Sequence, residues 1–305
     1  MQTLVTGATG FVGAKLIPAL LRAGHDVRAF ARDPSRVEAD VPVVQGDAIS
    51  GEGFAEAMAG VDVAYYLMHS METTTAGNGF GDLERESVEQ FVAAARAAGV
   101  SRAVYLGGPV PESERVSHHL SSRLAVEEAL LDGFDEAVAL RASIIIGARS
   151  RSFRFLVRLV ERLPAVPLPP WREYRSRPID ERDVIAMLVA AATTEHARGG
   201  LSLDIAGPDT LSYGEVIERI AEHMLVGRPA LRIPVTGGKL GSAVAAKLGS
   251  EDLALIGPLM ESLSSDLLPR DDRAAGLLGV RLHSFDRAVE HALREWERSE
   301  PLAAR

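Results

Sequence analysis

The segment Thr6-Gly7-Ala8-Thr9-Gly10-Phe11-Val12-Gly13 places three glycines at G-x-x-G-x-x-G spacing, directly behind the apolar run Met1 to Val5 and ahead of the helical pattern Ala14 to Arg22. The chemistry such a turn performs is phosphate binding by backbone. A strand must turn sharply, its main chain must approach a pyrophosphate, and the next helix must offer its N-terminal amides to negative charge. Gly7, Thr9, Gly10, Phe11, Val12 and Gly13 are therefore the expected contacts of a dinucleotide. A lone glycine triplet is weak evidence, but this one is framed by a strand, a helix and a second apolar strand, Asp26 to Ala31, beyond the Gly24 that ends the helix.

The tip of that second strand determines which dinucleotide is expected. A carboxylate there accepts hydrogen bonds from the adenosine ribose of NAD, whereas a guanidinium pairs with the 2'-phosphate of NADP. Arg32, Ser35 and Arg36 stand at this place, so NADP (NADPH) is the expected cofactor. Asp33 leaves a second reading open, in which a rotated turn presents a carboxylate.

Other reactive residue types carry blander readings. Arg154, Arg158 and Arg162 recur every fourth residue, opposite Phe153, Phe155, Leu156, Leu159 and Val160. A solvated helix face is expected there rather than an anion clamp. Arg149 and Arg151 differ, because they follow the sixth strand, where a carboxylate or a cofactor phosphate would lie; Arg141 reads as a structural ion-pair partner. Histidines 25, 196, 223, 283 and 291 show no tight mutual spacing with carboxylates, so no metal is assigned. Ser212 and Glu215 have capping-box spacing, a structural feature. The polar tract from Glu72 to Gly81, with Phe80 inside it, reads either as a lid over an apolar substrate or as an ordinary surface loop.

The elements that must position these residues alternate through the first half. Short apolar runs at Val41 to Gln45, Val61 to Met68, Ala103 to Leu106 and Ala137 to Ile146 interleave with helical periods at Asp82 to Ala98 and Leu120 to Leu131. The expected fold class is α/β: a Rossmann-type doubly wound parallel sheet of about six strands. Ligands of such sheets bind at the carboxyl ends of the strands, which brings Gly107 to the cofactor edge. Residues 1–150 are expected to form the dinucleotide-binding core. Residues 151–305 are expected to form mainly a smaller α+β lobe on the substrate side, with some segments returning to the core. The lobe is expected to include the strand Leu201 to Ile205 and the helix Tyr213 to Leu225, while the last helix, Phe285 to Arg298, packs back on the body.

Composition sets outer bounds. A chain of 305 residues, 47% hydrophobic and 25% charged, can bury a large core. Its net charge of -9, with no long basic block, argues against nucleic acid as a partner. Without cysteine there can be no disulfide, thiolate nucleophile or cysteine metal site. No run of 18 apolar residues suggests a membrane span, and the chain opens straight into a core strand, so a cytoplasmic monomer or homodimer acting on an apolar small molecule is expected.

In combination, TGATGFVG, VRAFARDPSR, Gln45-Gly46-Asp47-Ala48, Leu140-Arg141-Ala142-Ser143 with Gly147, the run Arg177 to Val184, and Ile205-Ala206-Gly207-Pro208 resemble the atypical and extended short-chain dehydrogenase/reductase superfamily over nearly the whole chain. The strand Val63 to Ser70 and the segment Ser117 to Glu127 look most like a bacterial subgroup described only as NAD(P)H-binding. The resemblance implies that Asp47 and Ala48 flank the adenine and that Met68, His69 and Ser70 line the path to the ribose. It also exposes a departure. Typical members carry a Ser or Thr after the fifth strand and a Tyr-x-x-x-Lys on the next helix. Here the strand ends Tyr105-Leu106-Gly107-Gly108-Pro109 and the helix reads His119-Leu120-Ser121-Ser122-Arg123.

Three readings of that departure stand open. In one, His119 is the general acid and Arg123 fixes the ribose, since residues four apart share a helix face. In another, Tyr66, Ser70 or solvent supplies the proton to an NADP-dependent oxidoreductase. In the third, the protein binds NADPH without chemistry, as a regulator or assembly factor.

Overall fold

The computed structural model describes residues 1–68, 80–110, 118–163, 166–168, 170–227, 230–232 and 265–300. Six parallel strands form in order of sequence: β1 (Gln2–Thr6), β2 (Asp26–Ala31), β3 (Val43–Gln45), β4 (Val63–Tyr66), β5 (Arg102–Gly107) and β6 (Glu136–Ala142). Four short strands follow, β7 (Ile145–Ile146), β8 (Val166–Leu168), β9 (Arg175–Ser176) and β10 (Ile179–Asp180), and then β11 (Leu201–Ile205), β12 (Leu211–Ser212) and β13 (Ala230–Arg232). The central sheet has seven strands in the order β11-β6-β5-β4-β1-β2-β3. Chain direction along the sheet reverses between β1 and β4, and a doubly wound sheet opens its ligand crevice at that point.

Strand alternation decides which side chain meets which layer. Val5, Val63, Tyr65, Val104, Leu106, Val138 and Leu140 face one core, closed by Leu16, Ile17 and Leu20 of α1 (Phe11–Arg22). Leu4, Ala64, Tyr66, Ala103 and Tyr105 face the other, closed by α2 (Phe54–Met58), α3 (Phe80–Ala98) and α4 (His118–Gly133). Strands buried on both faces need near-continuous apolar sequence, as in the VAYY of β4.

A third core lies outside the sheet. It joins α5 (Arg151–Arg162), α7 (Tyr213–His223) and the last helix through Phe153, Val157, Val216, Ile220, Val289 and Trp296. Between α5 and α7 the chain returns to the sheet. The helix α6 (Glu181–Ala191) packs beside α1 through Val184, Met187 and Leu188. The last two helices are α8 (Arg273–Leu277) and α9 (Phe285–Ser299).

One expectation is corrected here. Leu201–Ile205 is not part of the lobe but the seventh strand of the sheet, paired in parallel with β6 from Leu201 opposite Val138 to Ile205 opposite Ala142. Its alternating sequence LSLDI reads as a half-exposed strand, and an edge strand is half exposed. Leu203 and Ile205 are buried, while Ser202 donates to Glu127 Oε1 (2.6 Å) and Asp204 lies 3.5 Å from Arg141. Arg141 also grips Glu127 through two nitrogens, the structural ion pair expected of it.

Candidate functional site

The three glycines of the first turn have different tasks. Gly7 sits at φ +65°, and a Cβ there would lie 2.5 Å from the Leu67 carbonyl oxygen. Only glycine lets β1 leave the sheet so close to the end of β4. A Cβ on Gly13 would lie 2.3 Å from the Gly7 oxygen, so its absence lets α1 begin against the turn. Gly10 is exposed, and a Cβ there would meet only the Gly7 oxygen, at 3.2 Å. It is the N-cap of α1, no side chain caps that helix, and its first turn holds no acidic residue. The first amides of α1 are thus left for an external anion, and the open side of Gly10 gives a pyrophosphate room to reach them. Thr6 holds the crevice walls together: its hydroxyl donates to the Tyr65 carbonyl (2.8 Å) and accepts from the Leu67 amide (3.2 Å). Thr9 is half-buried, as are Phe11 and Val12 in the first turn of α1.

At the tip of β2 the carboxylate and the guanidiniums separate. Asp33 accepts from the Ser35 hydroxyl (2.6 Å) and amide (3.1 Å), capping the short turn Pro34–Arg36; these bonds hold its carboxyl below the usual range. Arg32, Ser35 and Arg36 are exposed beside it. Among the described residues neither arginine has a carboxylate within ion-pair distance. Beyond β3, Asp47 accepts from the amides of Ile49 (2.8 Å) and Ser50 (3.2 Å), so its carboxylate shapes its own loop. Ala48 and Met68 are half-buried against the core beneath them. His69 and Ser70 lie outside the described residues, as does the tract from Glu72 to Gly79; Phe80 and Gly81 open α3.

At the far end of the crevice, β5 ends at Gly107, whose missing side chain is matched by the Tyr105 ring, 2.6 Å from where a Cβ would stand. His119 and Arg123 lie one turn apart near the start of α4; the side chain of His119 is outside the described residues. Arg123 reaches the strand end: from a Cβ built on Gly108, its Cδ would be 3.2 Å and its Nη1 3.5 Å away. Its Nε is buried with no hydrogen-bond partner among the described residues, and its carbonyl accepts from the Tyr105 hydroxyl (3.3 Å). The reading of Tyr66 as a proton donor is corrected. Tyr66 is 2% exposed in the core under α3 and donates to Ser87 Oγ (3.1 Å), because strand alternation turns it away from the crevice.

The arginine helix is also corrected. Arg158 is 5% exposed, not solvated; it pairs with Glu161 and Glu300, and both Arg158 and Arg154 stack on Trp296 at 4.9 and 4.4 Å from the ring centroid. The last helix covers the face that periodicity assigned to water. Three of the histidines also find carboxylates that their sequence spacing did not reveal. His283 Nδ1 is 2.6 Å from Asp183, His223 is 3.3 Å from Asp286, and His291 lies 3.6 Å from Glu181 and 3.7 Å from Glu295. Glu181, His291 and Glu295 are close enough to share a cation, but the ammonium of Lys15 already sits 2.6 Å from both carboxylates. Burial pushes the Glu181 carboxyl up to about 7 against the pull of Lys15.

Residues 7–143 match the model of a family described as NAD(P)H-binding. A ceramide reductase of Caulobacter vibrioides is 27% identical over 274 residues, covering 87% of this chain and 85% of its own. A 3-beta-hydroxysteroid dehydrogenase of Mycolicibacterium neoaurum is 37% identical over 113 residues, covering 34% of this chain and 31% of its own. An Arabidopsis thaliana protein named as a subunit of mitochondrial NADH dehydrogenase is 26% identical over 227 residues, 70% of this chain and 56% of its own. Among solved structures, a UDP-glucose 4-epimerase of Thermotoga maritima shares the fold with a TM-score of 0.74 at 14% identity, over 98% of this chain and 99% of its own. No helix among the described residues is long and apolar enough to cross a membrane. Residues 7–143 thus match an NAD(P)H-binding family, and the whole chain has the Rossmann-like fold of the epimerase.

Proposed function

We propose that the protein is an NADPH-dependent reductase acting on a carbonyl, imine or activated alkene of an apolar small molecule. The observation that carries the cofactor choice is the tip of β2, where Asp33 is tied to Ser35 in its own turn while Arg32 and Arg36 stay available for a 2'-phosphate. Gly7, Gly10 and Gly13 hold the pyrophosphate on the amides of α1, and Arg123 anchors the ribose from the end of β5. A reduced nicotinamide, when bound, supplies the hydride. His119, one turn before Arg123, protonates the developing oxyanion; an imidazole titrating near neutrality suits that task, and Arg123 keeps its charge throughout. Support for a lipophilic substrate comes from relatives named for ceramide and for a 3-beta-hydroxysteroid.

The test is turnover against a panel of lipophilic ketones, enones and imines. With a substrate in hand, His119→Phe lowers kcat by roughly two to four powers of ten at little change in NADPH affinity, the effect of losing one general acid. Full activity in that variant moves the proton donor elsewhere. A second reading, a cofactor-binding assembly factor without chemistry, is favoured by the relative named as a respiratory-complex subunit. It prevails if NADPH binds tightly, no substrate turns over, and the dinucleotide alters association with a protein partner.

A further inference from the structure

Arg149 and Glu38 are 111 residues apart in sequence, yet Arg149 Nη1 lies 3.2 and 3.4 Å from the two Glu38 carboxylate oxygens. Each partner stands beside a part of the dinucleotide crevice. Glu38 follows Arg36 by two residues, just beyond the tip of β2. Arg149 sits on the turn after β7, closed by the Ser150 amide on the Gly147 oxygen (3.0 Å). That turn lies against the start of α1, since a Cβ on Gly147 would come within 2.6 Å of Phe11 Cζ. Phe11 is the residue directly after the N-cap Gly10. Arg149 therefore reaches from the first residue of the phosphate-binding helix to the chain beyond β2, the two elements between which the cofactor's phosphates run.

The pair is poorly suited to a purely structural role. Its side chains are 47% and 71% exposed, and an ion pair so wet contributes little to stability and exchanges readily. A guanidinium makes charge-assisted, often bidentate bonds to a phosphate as well as to a carboxylate, so a diphosphate can take the place of Glu38. Resting on the cofactor reading above, we infer that Arg149 is a ligand of the dinucleotide diphosphate and that Glu38 is the carboxylate it leaves to make that contact. The division of labour follows. The diphosphate is common to NADH and NADPH, so Arg149 sets affinity for both, whereas Arg32 and Arg36 meet the 2'-phosphate and set the choice between them.

Calorimetric titration of NADPH and NADH into the protein and its Arg149→Ala, Arg149→Lys, Glu38→Gln and Arg32→Ala variants tests this. Arg149→Ala is expected to weaken both dinucleotides by about tenfold or more, leaving their ratio unchanged, and Arg149→Lys to restore part of the loss. Glu38→Gln frees the guanidinium and is expected to tighten both by about two- to fivefold. Arg32→Ala is expected to weaken NADPH alone. If Arg149→Ala leaves both affinities unchanged, or weakens NADPH alone while NADH holds, the inference is overturned although the cofactor reading survives. If the unaltered protein binds neither dinucleotide, both fall.

Discussion

The tip of β2 and the seam between α5 and α9 are both rich in arginine and use it in opposite ways. At the seam, Arg154 and Arg158 stack on Trp296 and reach Glu300, and Arg158 also holds Glu161 below the surface. At the tip of β2 the nearest carboxylate, Asp33, is occupied by the hydrogens of Ser35, and Arg32 and Arg36 remain exposed. A charge can recognise a ligand where the fold leaves it exposed, and not where it is buried against its partners. Regular spacing of arginines marks neither case.

The largest expected effect probes the available side of this contrast. Gly10→Val should remove dinucleotide binding by about three powers of ten or more, since a side chain would stand between the pyrophosphate and the α1 amides. The fold should survive, because only the Gly7 oxygen lies near, at 3.2 Å. Gly13→Ala should do the reverse, lowering the melting temperature through its contact with the turn. Titration and thermal melts on both variants break the contrast if Gly10→Val binds normally.

The committed side is tested by Arg158→Ala. It should destabilise the protein by about 3 kcal/mol, as it removes the guanidinium that pairs with the buried Glu161 carboxylate and uncovers the Trp296 ring. Dinucleotide affinity of the folded protein should not change. A stable variant with weakened cofactor binding would place this helix in the site and cancel the distinction, with denaturant melts as the measurement.

A smaller effect sharpens the comparison at Lys15, a cation fully committed to Glu181 and Glu295 although it lies on the cofactor helix itself. The Glu181 carboxyl is raised by burial from its ordinary 4.5 to about 7. Between those values the folded protein holds more protons at this site than the unfolded chain, so its contribution stabilises at low pH and is lost as pH rises through about 7. Glu295 works the other way, because its carboxyl is lowered and its contribution is lost as pH falls. Glu181→Gln should therefore flatten the fall in stability between pH 5 and pH 8, by roughly 1 to 3 kcal/mol. Equal pH profiles for the two proteins in chemical denaturation would show that Lys15 neutralises Glu181 completely.

Local patterns foretold much of this molecule. Gly24, expected to end the first helix, adopts φ of +82°, and Ser212 and Glu215 make both bonds of a capping box. Such features involve residues within a few positions of each other, where spacing and geometry are nearly the same thing. The failures involve distant partners. A five-residue alternating strand can lie in a lobe or at a sheet edge, and only its pairing with β6 decides. The two tyrosines of β4 look equivalent in sequence, yet alternation sends Tyr65 to the Leu188 carbonyl under α6 and Tyr66 to Ser87 under α3.

The sequence by itself determined the glycine turn after β1, because glycines are required wherever backbone meets backbone, and it determined the parallel sheet, because strands buried on both faces need continuous apolar runs. Only the tertiary structure decided which charges are spent. Lys15, Arg141 and Arg158 meet carboxylates 166, 14 and 142 residues away. Charge pairing depends on distance in space, and outside a helix or turn the sequence does not contain that distance.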